Sequence, residues 1–270
     1  MCFHLYSSLR SQHLSAFQDS ELLRMPLEEI VLQAKSLGVA PGEGDAPDSV
    51  TAFLLKAMDP PHQLSIHNAI SLLQMIDCLD EREKVTSIGA VVSQLPLSPR
   101  MGRMILLGCL MGVGPTALAT AACMGYRDPF IMPATEQQRA RCNQIKARMG
   151  GDKMFSDQVV AQKALAGFTN ELKRSGMSQA RRYCDENNLS FTTMQFLEDL
   201  VGQLNHVMHS VNVQPSQARA MRNSGNAALL QAVVGTGLYP DVGVRRNGSS
   251  IFSTERACKA KIHSSSINAR

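Results

Sequence analysis

The 270-residue chain is 44% hydrophobic and 19% charged, the balance of a folded protein with sizeable cores, and it has no low-complexity run that would point to long disorder. It exceeds the ~100 to 150 residues of a typical domain, so more than one unit is expected. No apolar run reaches the ~18 residues of a membrane span, and MCFHLYSSLR lacks the basic start and long apolar region of a secretion signal, so a cytoplasmic or nuclear location is expected.

The net charge of +4 hides a division along the chain. Residues 1–95 hold 6 Lys and Arg against 12 Asp and Glu, residues 96–225 hold 15 against 9, and residues 226–270 hold 6 against 2. Any surface for a polyanion is therefore expected after the sign change, with solvated helix faces as the plainer alternative. Seven cysteines, at 2, 78, 109, 123, 142, 184 and 258, form no CxxC pair, which excludes a zinc ribbon or disulfide framework and leaves most of them as small buried apolar residues.

In chain order, CFHLYSS alternates like a short strand but has no partner strand nearby in sequence. MPLEEIVLQAKSLG reads as a helix: Pro26 suits a first turn, Glu28 and Glu29 favour its positive end, Leu27, Ile30, Val31 and Leu37 share a face, and Gly38 stops it. DSVTAFLLKAMDPP and SIHNAISLLQMIDCLD repeat the pattern, and KVTSIGAVVSQLP closes the first part with Thr86 as a cap. Short helices around a small turn point to a helical or winged-helix unit.

The stretch SQLPLSPRMGRMILLGCLMG, residues 93–112, places two prolines just ahead of an apolar run, which ends one helix and starts another. It is expected to be a folded seam between units. Beyond Pro99 helical spacing covers 100–111, 115–125, 136–148, 156–169, 176–187 and 191–210, the pattern of a helical bundle. Met104, Leu106, Leu107, Leu110 and Met111 are expected in its core, and the glycines of GCLMGVG serve close packing. YRDPF, with Arg127, Asp128 and Phe130 as apolar anchor, reads as a packing turn. The tail then changes to one helix, a Gly/Pro turn and short β-rich runs split by NGSS, a hairpin signal.

There is no GxxxxGK[ST] phosphate loop, no HExxH and no nucleophile set at a familiar spacing, so autonomous catalysis has no support in the residues. The stretch VTSIGAVVSQLPLSPRMGRMILLGCLMGVGPTALATAACMGYRDPFIMP, residues 85–133, closely resembles the junction between winged-helix and ratchet domains in DEAH-box RNA helicases of the RNA helicase A type. LLRMPLEEIVLQAKSLG and FLLKAMDPPHQLSIHNAISLLQMIDCLD are similar to the winged helix, FSDQVVAQKALAGF and YCDENNLSFTTMQFLEDLVGQL to the ratchet, and AVVGTGLYPDVGVRR with KIHSSSIN to the opening of the OB-fold.

The resemblance implies a mainly α fold in four parts: 1–22 as the residual end of a second RecA domain, 23–96 a winged-helix domain, 97–224 a helical ratchet (HA2-like) domain and 225–270 an incomplete OB-fold. Every nucleotide-binding motif of the family would lie before Met1, so the chain reads as a fragment, a partial gene model or a degenerate copy of an ATP-dependent RNA helicase, not catalytic alone. It holds no cofactor of its own, because ATP and Mg would bind the absent RecA domains.

The resemblance also implies roles for single residues. Lys261, His263, Ser265 and Ser266 in KIHSSSIN match the segment that approaches single-stranded RNA, where Ser264 replaces the family's usual proline. Ser156 and Asp157 either cap their helix or line the RNA channel, in a segment where Gln158 and Phe168 stand in place of the family's histidine and tryptophan. Asn188 and Ser190 are candidates on the same argument. Arg100 and Arg103 share a helix face and are expected to pair with the acidic DCLDERE run, an interdomain role.

The implied function is that of a helicase accessory region binding single-stranded RNA and working with RecA motor domains in cis or trans. The alternative is a protein-interaction module that docks activators such as glycine-rich-patch proteins. Neither reading involves a membrane.

Overall fold

A computed structural model of the chain describes residues 3–131, 134–151, 156–211, 217–245, 251–254, 259–263 and 265–268. The chain divides into two compact units, residues 1–86 and 87–270. It is mainly helical, and among the described residues no helix is long and apolar enough to cross a membrane.

Unit 1 holds α1 (Ser8–Gln12), α2 (Glu21–Arg24), α3 (Glu28–Ser36), α4 (Val50–Leu54) and α5 (Gln63–Met75). Residues 3–7 form no strand despite their alternation; among the described residues no strand pairs with them, and they lead into α1, which Ser7 caps. Val31, Leu32, Ile66, Leu73 and Ile76 are fully buried, while Leu37, one turn beyond the buried face of α3, is 78% exposed and lies outside the core. Inside this unit Lys35 donates to Glu83 at 2.9 Å and to the Gly42 carbonyl at 2.5 Å, and Glu83 also accepts the Gly44 N–H at 3.0 Å. The Thr86 hydroxyl donates to the Asp77 carbonyl at 2.6 Å, closing the turn whose Leu79 and Val85 pair across a single antiparallel bridge.

Unit 2 begins with α6 (Ser87–Val92) and α7 (Pro99–Met111), followed by α8 (Gly114–Met124), α9 (Glu136–Gly150) and α10 (Asp157–Glu186). After them come α11 (Phe191–Ser210), α12 (Gln217–Met221) and α13 (Ala227–Leu238). The seam is folded: Leu95 is buried with Met104, Ile105 and Ala121, and Ser98 is the residue before a helix that starts on Pro99. The buried stripe of α7 is Gly102, Met104, Ile105 and Gly108. Leu106 and Leu107 are only half-buried, and Leu110 and Met111, expected inside, are 77% and 48% exposed: Leu110 falls on the opposite side of the helix, and Met111 is its last residue. Gly108 faces α8 so closely that an added Cβ would sit 2.4 Å from the Ala117 Cβ, and Gly112 ends α7 at φ 77°.

One core packs α7, α8 and α13 with Leu204 and Met208 of α11. A second packs α9, α10 and the first half of α11 around Phe168, Cys184 and Met194. The long α10 is broken at Gly176, whose φ of 79° and ψ of −176° belong to a region open to glycine almost alone, so the expected gap between helices shrinks to a single residue. The chain then makes an antiparallel sheet of β1 (Gly243–Arg245), β2 (Ile251–Thr254) and β3 (Ala260–Lys261) in the order β1-β2-β3. The NGSS turn signal, Cys2, Cys258, Pro133, Phe155 and Ser264 lie outside the described residues.

Candidate nucleic-acid interface

The turn after α8 is organised by its own polar groups. Asp128 Oδ1 accepts the Phe130 N–H at 2.9 Å, and Phe130, 8% exposed, anchors the turn in the second core. Residues 129–131 then pair with the turn between α10 and α11. Ser190 N–H donates to the Pro129 carbonyl at 2.8 Å, Ile131 N–H to the Asn188 carbonyl at 3.0 Å, and the Asn188 side-chain amide back to the Ile131 carbonyl at 3.0 Å. Asn188 sits at φ 55°, a left-handed conformation that asparagine tolerates better than most residues. The Ser190 hydroxyl caps α11 by accepting from Thr193 N–H at 3.3 Å.

The tail is tied to the start of α10. Asp157 accepts the Ser266 hydroxyl at 2.5 Å on one oxygen and the Ile267 N–H at 2.9 Å on the other. Ser156 is the N-cap of α10, accepting from Val159 N–H at 3.4 Å and donating to Gln158 Oε1 at 3.1 Å. Lys146 of α9 reaches the Ser265 carbonyl at 3.3 Å, stands 3.7 Å from Asp128 and lies over the Phe130 ring, 4.7 Å from its centroid.

His263 Nδ1 lies 2.8 Å from the Ser265 hydroxyl and 3.3 Å from the Ser265 N–H. A backbone N–H can only donate, so Nδ1 is the acceptor and the neutral ring carries its proton on Nε2, away from these bonds.

These contacts enclose a cavity of about 380 Å³, within the ~300 to 1,000 Å³ of small-molecule sites, between the 126–130 turn, the start of α10 and the tail. His263, Ser265, Ser266 and Asp157 line it together; Ser156, Lys261, Asn188 and Ser190 do not. Cys123 is at its edge, with its thiol pushed up to about 12 by burial first and by the Asp128 carboxylate second. Lys261 is exposed on β3, and Arg100 pairs with Asp241 at 2.5 Å, a carboxylate of its own unit. The acidic run places Asp80 and Glu83 in contacts of unit 1, Asp80 accepting the Arg82 and Lys84 N–H groups at 2.8 Å.

Sequence reasoning passed over Lys259, Tyr126 and Lys146. Lys259, Lys261 and His263 are all exposed and recur at every second residue, the spacing that puts side chains on one side of an extended segment. That alternation was the available signal for Lys259. Nothing local marks Lys146, whose partners are distant in sequence.

Residues 98–182 match the family described as helicase associated domain (HA2), ratchet-like. The chain is 33% identical over 274 residues to the DExH-box ATP-dependent RNA helicase DExH1 of Arabidopsis thaliana, aligning over all of this chain and 26% of that protein. It is 31% identical over 278 residues to the ATP-dependent DNA/RNA helicase DHX36 of Homo sapiens, over 99% of this chain and 26% of the relative. The rat protein of that name is 33% identical over 245 residues, 89% of this chain and 23% of its own length. The chain thus spans about a quarter of the length of these curated relatives. It contains a ratchet-like helicase-associated domain and is homologous to part of the DExH/DEAH-box RNA helicases.

Proposed function

We propose that the chain is the C-terminal accessory region of an ATP-dependent RNA helicase and binds single-stranded RNA. In this reading unit 1 supplies a winged-helix-type domain, the bundle of unit 2 the ratchet, and β1 to β3 the opening of an OB-fold. Lys259, Lys261 and His263 carry the proposal, as an exposed donor series on a tail fastened to the start of α10. Two ammonium groups spaced along an extended segment suit successive phosphates, and the His263 Nε2–H suits a phosphate or 2′-OH oxygen. Such contacts follow strand state and backbone and carry little sequence information.

ATP and Mg would act in RecA-type motor domains, which this sequence does not supply, since it has no GxxxxGK[ST] loop. The region's contribution is to hold the strand while a motor in cis or trans moves against it.

The test is binding of single-stranded RNA across a salt series. Affinity is expected to fall steeply with salt, and Lys259→Ala with Lys261→Ala to flatten the slope by about 0.7 per lost phosphate contact, alike for all sequences. Salt-insensitive retention of a protein partner with no RNA binding overturns the proposal in favour of a docking module, for which the exposed Leu110 and Met111 at the end of α7 speak.

A further inference from the structure

The cavity beside the basic series has the wrong charge for a phosphate. Its ionisable lining consists of Asp128, Asp157, Lys146 and His263, so two carboxylates face one ammonium group and an imidazole whose Nδ1 accepts from Ser265. Lys146 is nearly buried, its side chain 9% exposed, and its ammonium group is committed to the Ser265 carbonyl and the Phe130 ring. An entering phosphate would meet more negative than positive charge at short range.

The same cavity suits a flat neutral ring. Tyr126 lines it at 39% exposure, and its plane is fixed by stacking on Phe196 at 4.1 Å between centroids and 25° between planes. Phe196 is itself 45% exposed, so this is an aromatic pair at the surface, beside the cavity and outside both cores. Aromatic side chains open to solvent are platforms on which unpaired bases stack, and the second ring holds the first in place. Asp128 adds a polar edge: Oδ1 is taken by the Phe130 N–H, whereas among the described residues Oδ2 has only the loose 3.7 Å approach of Lys146 and can accept another N–H.

We propose that this cavity receives one nucleobase of the bound single-stranded RNA, stacked on Tyr126 and read by the Asp128 carboxylate. The inference rests on the RNA-binding reading above and adds to it the division of labour: phosphates outside along Lys259 and Lys261, one base inside. His263 belongs to both, as the last member of the series and part of the cavity wall. A carboxylate accepts and cannot donate, so it favours an exocyclic amino group over a carbonyl at the same place. Cytosine, with its N4 amino group, is preferred to uracil, which is of nearly equal size and puts O4 there.

The experiment uses the full chain with oligo(C), oligo(U) and an abasic strand of equal length, and reads affinity together with the emission of a 2-aminopurine placed in the strand. Tyr126→Leu is expected to lower affinity for the base-bearing strands by about tenfold, to leave the abasic strand unchanged, and to remove the 2-aminopurine signal; Tyr126→Phe retains all three. Asp128→Asn is expected to remove a several-fold preference for oligo(C). A thermal melt identifies a variant that fails to fold, and for that case the wild-type comparison of oligo(C) with the abasic strand stands as the second readout. Equal, salt-dependent binding of base-bearing and abasic strands overturns the base site and leaves the RNA-binding reading intact. Absence of binding to every strand overturns both.

Discussion

Ser266 donates its hydroxyl to the Asp157 carboxylate at 2.5 Å across 109 residues of sequence, and the next N–H, that of Ile267, takes the other oxygen at 2.9 Å. One side chain thereby fixes the end of the tail to the first turn of α10. Hydrogen bonds to an ionised group contribute about 1.5 to 3 kcal/mol, which is enough to hold a segment with little core of its own.

Asp157→Ala is expected to release the tail without unfolding the bundle. Trypsin should cut at Lys259 and Lys261 at least tenfold faster, while far-UV dichroism and the main melting transition stay near wild type. Ser266→Ala, which leaves the Ile267 bond, should give an intermediate rate. Unchanged cleavage in Asp157→Ala would show that other contacts hold the tail.

Lys35 and Glu83 form an ion pair with side chains 2% and 13% exposed. Removing one partner of a buried pair leaves a charge without compensation, at a cost of about 3 kcal/mol. Lys35→Met should therefore lower the stability of unit 1 by that order, with the loss read as faster hydrogen exchange in α3 and α5. Lys35→Met with Glu83→Gln should recover part of it, because the stranded carboxylate is gone.

How far these relations were readable from sequence depends on their range. Helix α11 begins and ends where its spacing predicts, at Phe191 and Ser210, because a long amphipathic repeat with Ser190 as cap is a local signal. The spacing puts a gap over 170–175 and starts the next helix on Gly176, whereas the break falls on Gly176 itself, in a backbone region open to glycine almost alone. Periodicity does not say which of two apolar faces is covered, nor how far a core reaches along a helix, and so it does not separate Leu37 and Leu110, or Met111 at the end of α7, from the buried residues. The short polar α12 has no apolar repeat to announce it. At the candidate interface, resemblance singled out His263, Ser265 and Ser266, whereas Tyr126 and Lys146 reach the same cavity through packing of segments more than a hundred residues from the tail. The Lys35 to Glu83 pair spans 48 residues and leaves no trace in either neighbourhood.

Cys123 makes stability depend on alkaline pH. Burial, with Asp128 adding to it, moves its thiol from an ordinary 9.0 up to about 12 in the folded chain. The folded state keeps its proton where the unfolded state loses it, so the contribution is complete below about pH 9 and declines as pH rises toward 12. By about pH 10 the loss from this one group is on the order of 1.4 kcal/mol. Denaturation midpoints of wild type and Cys123→Ala, compared between about pH 8 and 10, should converge as pH rises. Parallel curves would mean that the thiol does not titrate differently in the two states.

Leu95 tests to which unit the proline-rich seam belongs. It lies between α6 and α7, is 3% exposed, and is buried with Met104, Ile105 and Ala121 in the core of unit 2. Gly102 strengthens the assignment, because a Cβ there would meet Val92 at 3.0 Å and Leu95 at 3.3 Å, so α6 and the seam press directly on α7. Leu95→Ala should cost about 2 to 5 kcal/mol through lost burial and the cavity left behind. That loss should show as faster hydrogen exchange in α7 and α8, with α3 and α5 unchanged, since the side chain packs in the core of unit 2. Gly102→Ala should produce the same regional pattern by overpacking, with a loss of about 1 to 3 kcal/mol. If instead Leu95→Ala loosens α3 and α5 and spares α7, the seam belongs with the acidic first unit and the division after Thr86 is misplaced.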